Sequence, residues 1–273
     1  MILRWDLTGA AIAVVVSQYI ASLSLLYMIM KDGIFNLKDL GRLPDVTKIF
    51  DYLSAGSQLL VRTISMQTFY TVMTSYGARM GTAVIAAHAI ARQCASLEAL
   101  IVDGLAVATQ ALVAMYLGQN QRQTARRLCS RLLFLGGLAG GALGSLLFFC
   151  SNPIAKAFSS DPSVIYEATR ALPLVAAVQL PAALAYIYDG IFLGARDFKF
   201  LGVAMFFCTL PAMATLIFTA HMFDLGLVTL WLASGALIVS RVIALSFRYS
   251  SDDGPFGDLK VGEFRVQGLG SRV

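Results

Sequence analysis

The amino-acid sequence predicts an all-α fold: a polytopic membrane helix bundle with about seven transmembrane helices. Of its 273 residues, 58% are hydrophobic and 14% are charged, whereas soluble domains have roughly 45–50% and about 25%. Apolar runs long enough to cross a bilayer recur along the chain, and basic residues collect between alternate runs. These observations exclude disorder and small disulfide scaffolds, and they argue against a soluble globular enzyme.

Each predicted span is an apolar run of about 20 residues or more, which is the length that a helix needs to cross the hydrocarbon core. In chain order the runs cover residues 10–30, 50–78, 82–117, 132–155, 171–193, 200–223 and 225–247. The polar stretch 32–49 separates the first run from the other six. The segment 248–273 is rich in glycine, serine and charge, which predicts a disordered tail.

The positive-inside rule gives the bundle an orientation. The basic residues are Lys31, Lys38, Arg42 and Lys48 after the first run, Arg122, Arg126, Arg127 and Arg131 after the third, Arg196 and Lys199 after the fifth, and Arg248 after the seventh. The pattern predicts an outside N-terminus and a cytoplasmic tail. It also accounts for the net charge of +5, so the predicted environment is the lipid bilayer and no nucleic-acid partner is expected.

Six formal charges lie inside the predicted spans: Arg62, Arg92, Glu98, Asp103, Asp189 and Arg241. Each costs roughly 2.5–3.5 kcal/mol near the bilayer centre, so such groups pair with each other or face a wet cavity. Structural ion pairs between helices and a solute pathway are both open from the sequence. For Arg241, near a span end, snorkelling to the interface is a further interpretation.

Helical spacing places many of the polar residues on narrow stripes. The stripes consist of Gln58, Arg62 and Ser65 in the second run, His88, Arg92, Ser96, Asp103 and Gln110 in the third, and Gln179, Tyr186 and Asp189 in the fifth. Stripes on several spans predict a polar central cavity. For His88, an interfacial or hydrogen-bonded role competes with a proton relay. For Asp189, helix-end capping competes with pH sensing.

Small residues and prolines mark contacts and breaks between helices. Gly136, Gly140 and Gly144 form a GxxxGxxxG pattern, which lets two helix backbones approach closely in lipid. Pro173, Pro181 and Pro211 lie within spans, where proline kinks a helix; static kinks and helices that bend during transport are both open. The sequence holds no nucleotide-binding or hydrolase motif, so we expect neither an enzyme nor a cofactor.

The ordered motifs resemble those of the multidrug and toxic compound extrusion (MATE) transporters, and most closely the DinF-type branch of plants and algae. The carrying segments are LLVRT (59–63), ARMGTAVIAAHAIARQ (78–93), VDGLAVATQALVA (102–114), YLGQ (116–119) and QLPAALAYIYDGIFLGARDFKF (179–200). The resemblance implies two six-helix lobes around a cleft. Residues 1–31 would be the last helix of the first lobe, 32–49 a cytoplasmic interlobe linker, 50–247 the second lobe, and 248–273 a cytoplasmic tail.

The sequence also departs from that family pattern. Some members bind a coupling cation in the second lobe with two acidic residues. The position of the second acid falls near Ala182 in this chain, so the acid is not found where the family pattern has it. The implied function is a secondary active efflux antiporter of small organic solutes, coupled to H⁺ or Na⁺. Arginines at 62 and 92 favour organic anions such as citrate-like carboxylates. A multidrug exporter of cationic or aromatic compounds, and a half-transporter without activity of its own, are the alternatives.

We therefore predict a set of site residues in a multi-pass integral membrane protein, in the plasma membrane or the plastid envelope. The predicted solute contacts are Gln58, Arg62, Arg92, Gln110 and Tyr186, and the predicted ion-coupling residues are His88, Asp103 and Asp189. A small organic solute is the expected partner. The resemblance implies that the N-terminal lobe, or another half, is needed to complete the cleft.

Overall fold

A computed structural model describes residues 6–33, 45–223, 226–251 and 254–257 of the chain. Over these residues the regular secondary structure is entirely α-helical, which confirms the predicted fold class. The helices are α1 (Asp6–Lys31), α2 (Val46–Arg79), α3 (Thr82–Gly118), α4 (Arg122–Phe149), α5 (Ser151–Phe158), α6 (Pro162–Gly194), α7 (Phe198–Met222) and α8 (Leu227–Ser250).

The chain divides into two compact units, residues 1–53 and 54–273. The first contains α1, whose apolar side chains are largely exposed. The second contains the rest of α2 and all of α3–α8. Most of the predicted linker 32–49 lies outside the described residues, although α2 already begins at Val46.

Among the described residues, six helices are long and apolar enough to cross a membrane. They are α1, α3, α4, α6, α7 and α8. The second predicted span forms a continuous helix, α2, but it does not meet the same criterion. Its 34 residues carry charges at Lys48, Asp51, Arg62 and Arg79 together with many Ser, Thr, Gln and Tyr side chains. Both kinds of residue lower its mean hydropathy.

The helix ends in the structure differ from the predicted bounds at the fourth span and at the tail. The fourth span was placed at 132–155, but α4 begins at Arg122 and the helix breaks at Cys150 before the short helix α5. The predicted turn arginines from Arg122 to Arg131 therefore lie in the first turns of α4. The tail was predicted from residue 248, yet α8 continues to Ser250, and Phe256 is buried against Tyr249. Residues 258–273 lie outside the described residues.

Helix α6 is the centre of the second unit, because it packs extensively on α3, α4 and α8. The glycine stripe of α4 lies against it: a Cβ atom at Gly140 would meet the Ala183 Cβ at 2.5 Å and the Gln179 carbonyl oxygen at 2.9 Å. At Gly144 it would meet the Ala176 carbonyl oxygen at 2.6 Å. The predicted close approach of two backbones is confirmed, and α6 is the partner of α4.

Apolar packing in the second unit forms two main clusters with polar residues between them. On α3, Glu98 lies between Ala91 of one cluster and Val102 of the other. On α6, Gln179 lies between Ala176 and Ala183 in the same way. Buried polar side chains therefore lie at the junction between the two apolar clusters.

Candidate functional site

A cavity of about 180 Å³, lined by both apolar and polar residues, opens at this junction between α2, α3, α6 and α8. Its polar and aromatic lining consists of Tyr70, Arg92, Ser96, Glu98, Gln179, Tyr186, Trp231 and Ser234. The volume is below the roughly 300–1,000 Å³ of pockets for drug-sized ligands. A small solute, or one end of a larger solute, fits such a space.

Arg92 supplies the positive charge of the cavity wall. Its guanidinium carbon lies 6.0 Å from the centroid of the Tyr70 ring, which is the range of a cation–π contact. In the described part of the chain, Arg92 forms no ion pair with a carboxylate. Its charge is consequently available to a solute in the cavity.

Glu98 contributes a carboxyl group to the same cavity. It comes from the buried side of α3 and is 4% exposed. Its Oε1 atom has no hydrogen-bond partner among the described residues, and no salt bridge there includes it. The cavity thus contains an acid without a fixed counter-ion.

Three charged residues form a buried cluster beside the cavity. Arg62 of α2 and Arg241 of α8 both donate to the same carboxylate oxygen, Oδ2 of Asp189 on α6. The side chain of Asp189 is 6% exposed, that of Arg241 10% and that of Arg62 19%. Arg241 is therefore a buried ion-pair partner and does not snorkel to an interface. With two cations on one anion, the cluster carries an excess of positive charge.

His88 is 2% exposed and lies beside Trp231, with the ring centroids 6.0 Å apart. Neither ring nitrogen has a hydrogen-bond partner within the described ranges. The imidazole packs beside the Trp231 ring, which belongs to one of the apolar clusters. The hydrogen-bonded and proton-relay interpretations of His88 both stay predictions.

The other predicted site residues lie away from the cavity. The Gln58 side-chain amide donates to the Ser54 hydroxyl at 3.3 Å. Asp103 and Gln110 are exposed on α3. At 1.5 Å of rise per residue, they lie about 10 Å and about 21 Å along the helix from Ser96. Of the stripe predicted on α3, Arg92 and Ser96 line the cavity.

The structure thus brings Arg92 and Tyr186 together in one cavity and adds residues that sequence reasoning did not select. Glu98 was recognised as an intramembrane charge, yet it falls off the polar stripe of α3. Gln179 had a signal in the α6 stripe. Trp231 and Tyr70 had none, since aromatic residues are common in apolar spans. The described residues contain no cluster of three or more His, Cys, Asp or Glu side chains placed to hold a metal ion.

The fold is that of a multi-pass helical membrane protein, with charged groups inside its bundle. A family model described as MatE matches residues 59–219, which is more than half of the chain. The chain therefore belongs to the MATE family of membrane transporters. Membership of this family agrees with the predictions of a multi-pass membrane protein and of no enzymatic activity.

Similar proteins cover almost all of this chain but only part of their own length. Protein DETOXIFICATION 45, chloroplastic, from Arabidopsis thaliana is 31% identical over 263 residues, which are 96% of this chain and 46% of that protein. Protein DETOXIFICATION 43 from the same plant is 31% identical over 95% of this chain and 48% of its own length. The chain spans about half the length of these curated relatives.

A solved structure has the same fold as this chain over part of its own length. The crystal structure of a MATE protein in the straight conformation superposes with a TM-score of 0.76 at 17% identity. The superposition covers 97% of this chain and 57% of that one. The described helices therefore have the architecture of one part of a MATE transporter.

Proposed function

We propose that this MATE-family chain takes part in the export of small organic anions, with citrate-like carboxylates as the substrate class, in antiport with H⁺ or Na⁺. The observation that supports the proposal is the guanidinium of Arg92 on the cavity wall, which pairs with no carboxylate of the described residues. A guanidinium binds a carboxylate through charge-assisted, bidentate hydrogen bonds.

The charges near the cavity favour an anion. Arg62 and Arg241 share the single carboxylate of Asp189, and Arg92 adds a third cation that pairs with no carboxylate in the described ranges. In this proposal Arg92 binds the solute carboxylate, while Gln179 and Tyr186 offer hydrogen bonds to its remaining oxygens. Gln58, Arg62 and Gln110 stay predicted contacts of the solute pathway, and His88, Asp103 and Asp189 stay predicted ion-coupling residues.

The size of the cavity bears on the partners of this chain. The cavity has a volume of only about 180 Å³, and the chain matches about half the length of its relatives. Both observations support a binding site of which this chain forms one side. We propose that a second lobe, from the same or another polypeptide, supplies the opposite wall. Alternating access then requires both walls, as in other transporters built from two repeats.

The test compares two arginines that make the same kind of contact. Arg92 lies 6.0 Å from the Tyr70 ring inside the cavity, and Arg79 lies 6.0 Å from the Tyr76 ring at the exposed end of α2. Efflux of radiolabelled citrate is measured from proteoliposomes that contain the intact protein. Arg92→Gln should slow efflux at low citrate by roughly 10- to 100-fold, because a charge-assisted hydrogen bond contributes about 1.5–3 kcal/mol. Arg79→Gln should retain the rate of the unmodified protein.

Two results would overturn the proposal: an absence of citrate efflux from the unmodified protein, or an equal rate for the Arg92→Gln and Arg79→Gln variants. Protein amount and melting temperature are measured for each variant, so that a loss of fold is separated from a loss of function.

A second candidate function, export of cationic or aromatic compounds, is favoured by other residues of the cavity. Tyr70, Tyr186 and Trp231 provide aromatic surfaces, and Glu98 provides a carboxyl group. Such walls bind organic cations through cation–π contacts. Efflux of tetraethylammonium in place of citrate, lost on Glu98→Gln, would support this candidate.

The third alternative is a half-transporter without activity of its own. Native mass analysis of the protein from membranes distinguishes it. A partner that copurifies at equal stoichiometry supports a paired half, whereas a strict monomer that still transports citrate contradicts it.

A further inference from the structure

We propose that a groove between α4, α5 and α6 binds an anionic phospholipid. In this site Arg170 pairs with the phosphate of the headgroup, and an acyl chain lies in the apolar part of the groove along α6. The residues that line the groove are all different from those that line the cavity described above. The lipid site is therefore separate from the proposed solute site and does not depend on it.

The polar end of the groove is a space of about 500 Å³ between α5 and the first turns of α6. Arg170, Tyr166 and Asn152 line it, and the guanidinium carbon of Arg170 lies 5.3 Å from the centroid of the Tyr166 ring. Within the described ranges Arg170 forms no ion pair. This end of the groove thus presents an exposed cation, held at an aromatic ring, to an anionic group.

The other charges near this end also favour an anion. Lys156 is exposed on α5, and it too pairs with no carboxylate of the residues that the structure describes. The acids that are close in sequence have other partners: Asp161 Oδ1 accepts hydrogen bonds from Ser163, and Glu167 accepts one from the Leu227 N–H at 3.1 Å. Of the described residues, none that lines this space is acidic.

An apolar groove of about 390 Å³ lies next along the bundle, between α4 and α6. On α6 it is lined by Pro173, Ala177 and Leu180. These positions follow Arg170 at steps of three and four residues, which keeps all four on one face of the helix. The facing wall consists of small residues of α4 and the exposed ring of Phe148. The apolar groove therefore continues from the polar end along the same face of α6.

The dimensions of the groove match one leaflet of a bilayer. From Arg170 to Leu180 the helix rises about 15 Å, which is half of the roughly 30 Å of the hydrocarbon core. Exposed aromatic residues lie near the polar end: Phe149 ends α4, Phe158 ends α5 and Tyr166 is near the start of α6. Aromatic side chains of this kind mark a membrane–water interface. A lipid with an anionic head fits both parts of the groove, whereas a free anion leaves the apolar part empty.

The first test measures which lipid headgroup the intact protein prefers. Native mass spectrometry of the purified protein in detergent compares dioleoyl phosphatidylglycerol with dioleoyl phosphatidylcholine, which has the same chains and no net charge. The unmodified protein should bind the anionic lipid about fivefold more tightly, because one basic side chain near the headgroup contributes about that factor. Arg170→Gln should abolish this preference, and Arg170→Lys should keep most of it.

The matched control for the cation is Arg79→Gln. Arg79 makes the same kind of contact, 6.0 Å from the centroid of the Tyr76 ring, but it does not line the groove. This variant should retain the preference for the anionic lipid.

The second test concerns the apolar part of the groove. Ala177→Phe places a ring in that space without a change of charge, and Ala142→Phe makes the same change at an exposed position of α4 that does not line it. Ala177→Phe should weaken the binding of phosphatidylglycerol severalfold, whereas Ala142→Phe should leave it unchanged. Inorganic phosphate should not displace the lipid, because the phosphate ion has no chain to occupy the apolar part.

Several results would overturn the assignment: equal affinity of the unmodified protein for the two lipids, equal lipid binding by Arg170→Gln and Arg79→Gln, full binding by Ala177→Phe, or displacement of the lipid by inorganic phosphate. The comparison of the two lipids uses the unmodified protein, so it decides even if a variant does not fold. None of these measurements involves transport. A failure of the proposed function would therefore leave the result for the lipid site unchanged.

Discussion

Arg241 of α8 donates to a carboxylate oxygen of Asp189 on α6, and Arg62 of α2 donates to the same oxygen. One carboxylate thus joins three helices that are far apart in the sequence. Because Asp189 Oδ1 has no partner within the described ranges, all of the pairing passes through Oδ2. This cluster has consequences for stability that differ from those of an ordinary ion pair.

Removal of the shared acid should be far more harmful than removal of a peripheral one. Asp189→Asn leaves two buried guanidinium groups unpaired, and an uncompensated buried charge costs about 3–5 kcal/mol. Asp197→Asn is the matched control, because its pair with Arg248, at 3.1 Å, has side chains 20% and 28% exposed. Partly exposed pairs contribute about 0–1 kcal/mol. Thermal unfolding in detergent measures both variants, and equal losses would contradict the role of the cluster.

The two arginines should not contribute additively. With either one removed, Asp189 keeps one cation and the cluster loses its internal repulsion between like charges. With both removed, the carboxylate is buried without any partner. The double variant Arg62→Gln with Arg241→Gln should therefore lose more stability than the sum of the single variants, by about 1–3 kcal/mol. A double-mutant cycle that closes within about 0.5 kcal/mol would show that the arginines act independently.

Neighbouring glycines of α4 should differ sharply in their tolerance of alanine. A methyl group at Gly140 meets the Ala183 Cβ at 2.5 Å and backbone atoms of α6, whereas one at Gly141 meets only the Leu180 Cδ1 at 3.6 Å. Gly140→Ala should lower stability by about 1–3 kcal/mol through overpacking. Gly141→Ala should be neutral or stabilising, since alanine favours a helix. Similar melting temperatures for both variants would contradict the close approach of α4 and α6.

The start of α6 should make a contribution to stability that depends on pH. Asp161 is the N-cap residue, and its Oδ1 accepts hydrogen bonds from the Ser163 hydroxyl at 2.7 Å and from the Ser163 N–H at 2.8 Å. These hydrogen bonds, the side-chain one first, lower the pKa of the Asp161 carboxyl. A lowered folded-state pKa means stabilisation that is present above the ordinary pKa of aspartate and lost as the pH falls through the folded value.

The comparison of Asp161→Asn with the unmodified protein checks this dependence. Asparagine retains the capping hydrogen bond but lacks the charge that favours a helix N-terminus. The variant should be less stable at neutral pH, and the gap should close as the pH falls. A gap that is constant across the titration would show that the charge of Asp161 makes no contribution.

Much of the fold was predictable because the composition of each apolar segment by itself determines whether that segment is more stable in lipid or in water. Runs of about 20 apolar residues form helices in either setting, since every backbone group is satisfied within the helix. The break at Cys150 and the extension of α4 back to Arg122 were not predicted, because the spans were delimited by hydropathy. A helix can continue into the interfacial region, where arginine is well solvated, and hydropathy alone does not show its end.

The candidate site was predictable only in part. The spacing on α3 and α6 indicated Arg92 and Tyr186, and the structure places both at one cavity. The spacing in the sequence did not indicate which charges pair, because Arg62, Asp189 and Arg241 lie on three different helices. Nor did it distinguish Glu98 from the other acids, since a helical stripe shows the direction of a side chain and not what faces it.

The sequence by itself determined that this chain is a bundle of membrane helices, with a glycine face for close packing and with charges that require partners or a cavity. These properties follow from the cost of polar groups in lipid, which depends on composition and spacing alone. Only the tertiary structure decided that Asp189 is bound by two arginines, while Arg92 and Glu98 have no partner of opposite charge among the residues that the structure describes. Pairing depends on which helices come into contact, and that contact is a property of the packed bundle.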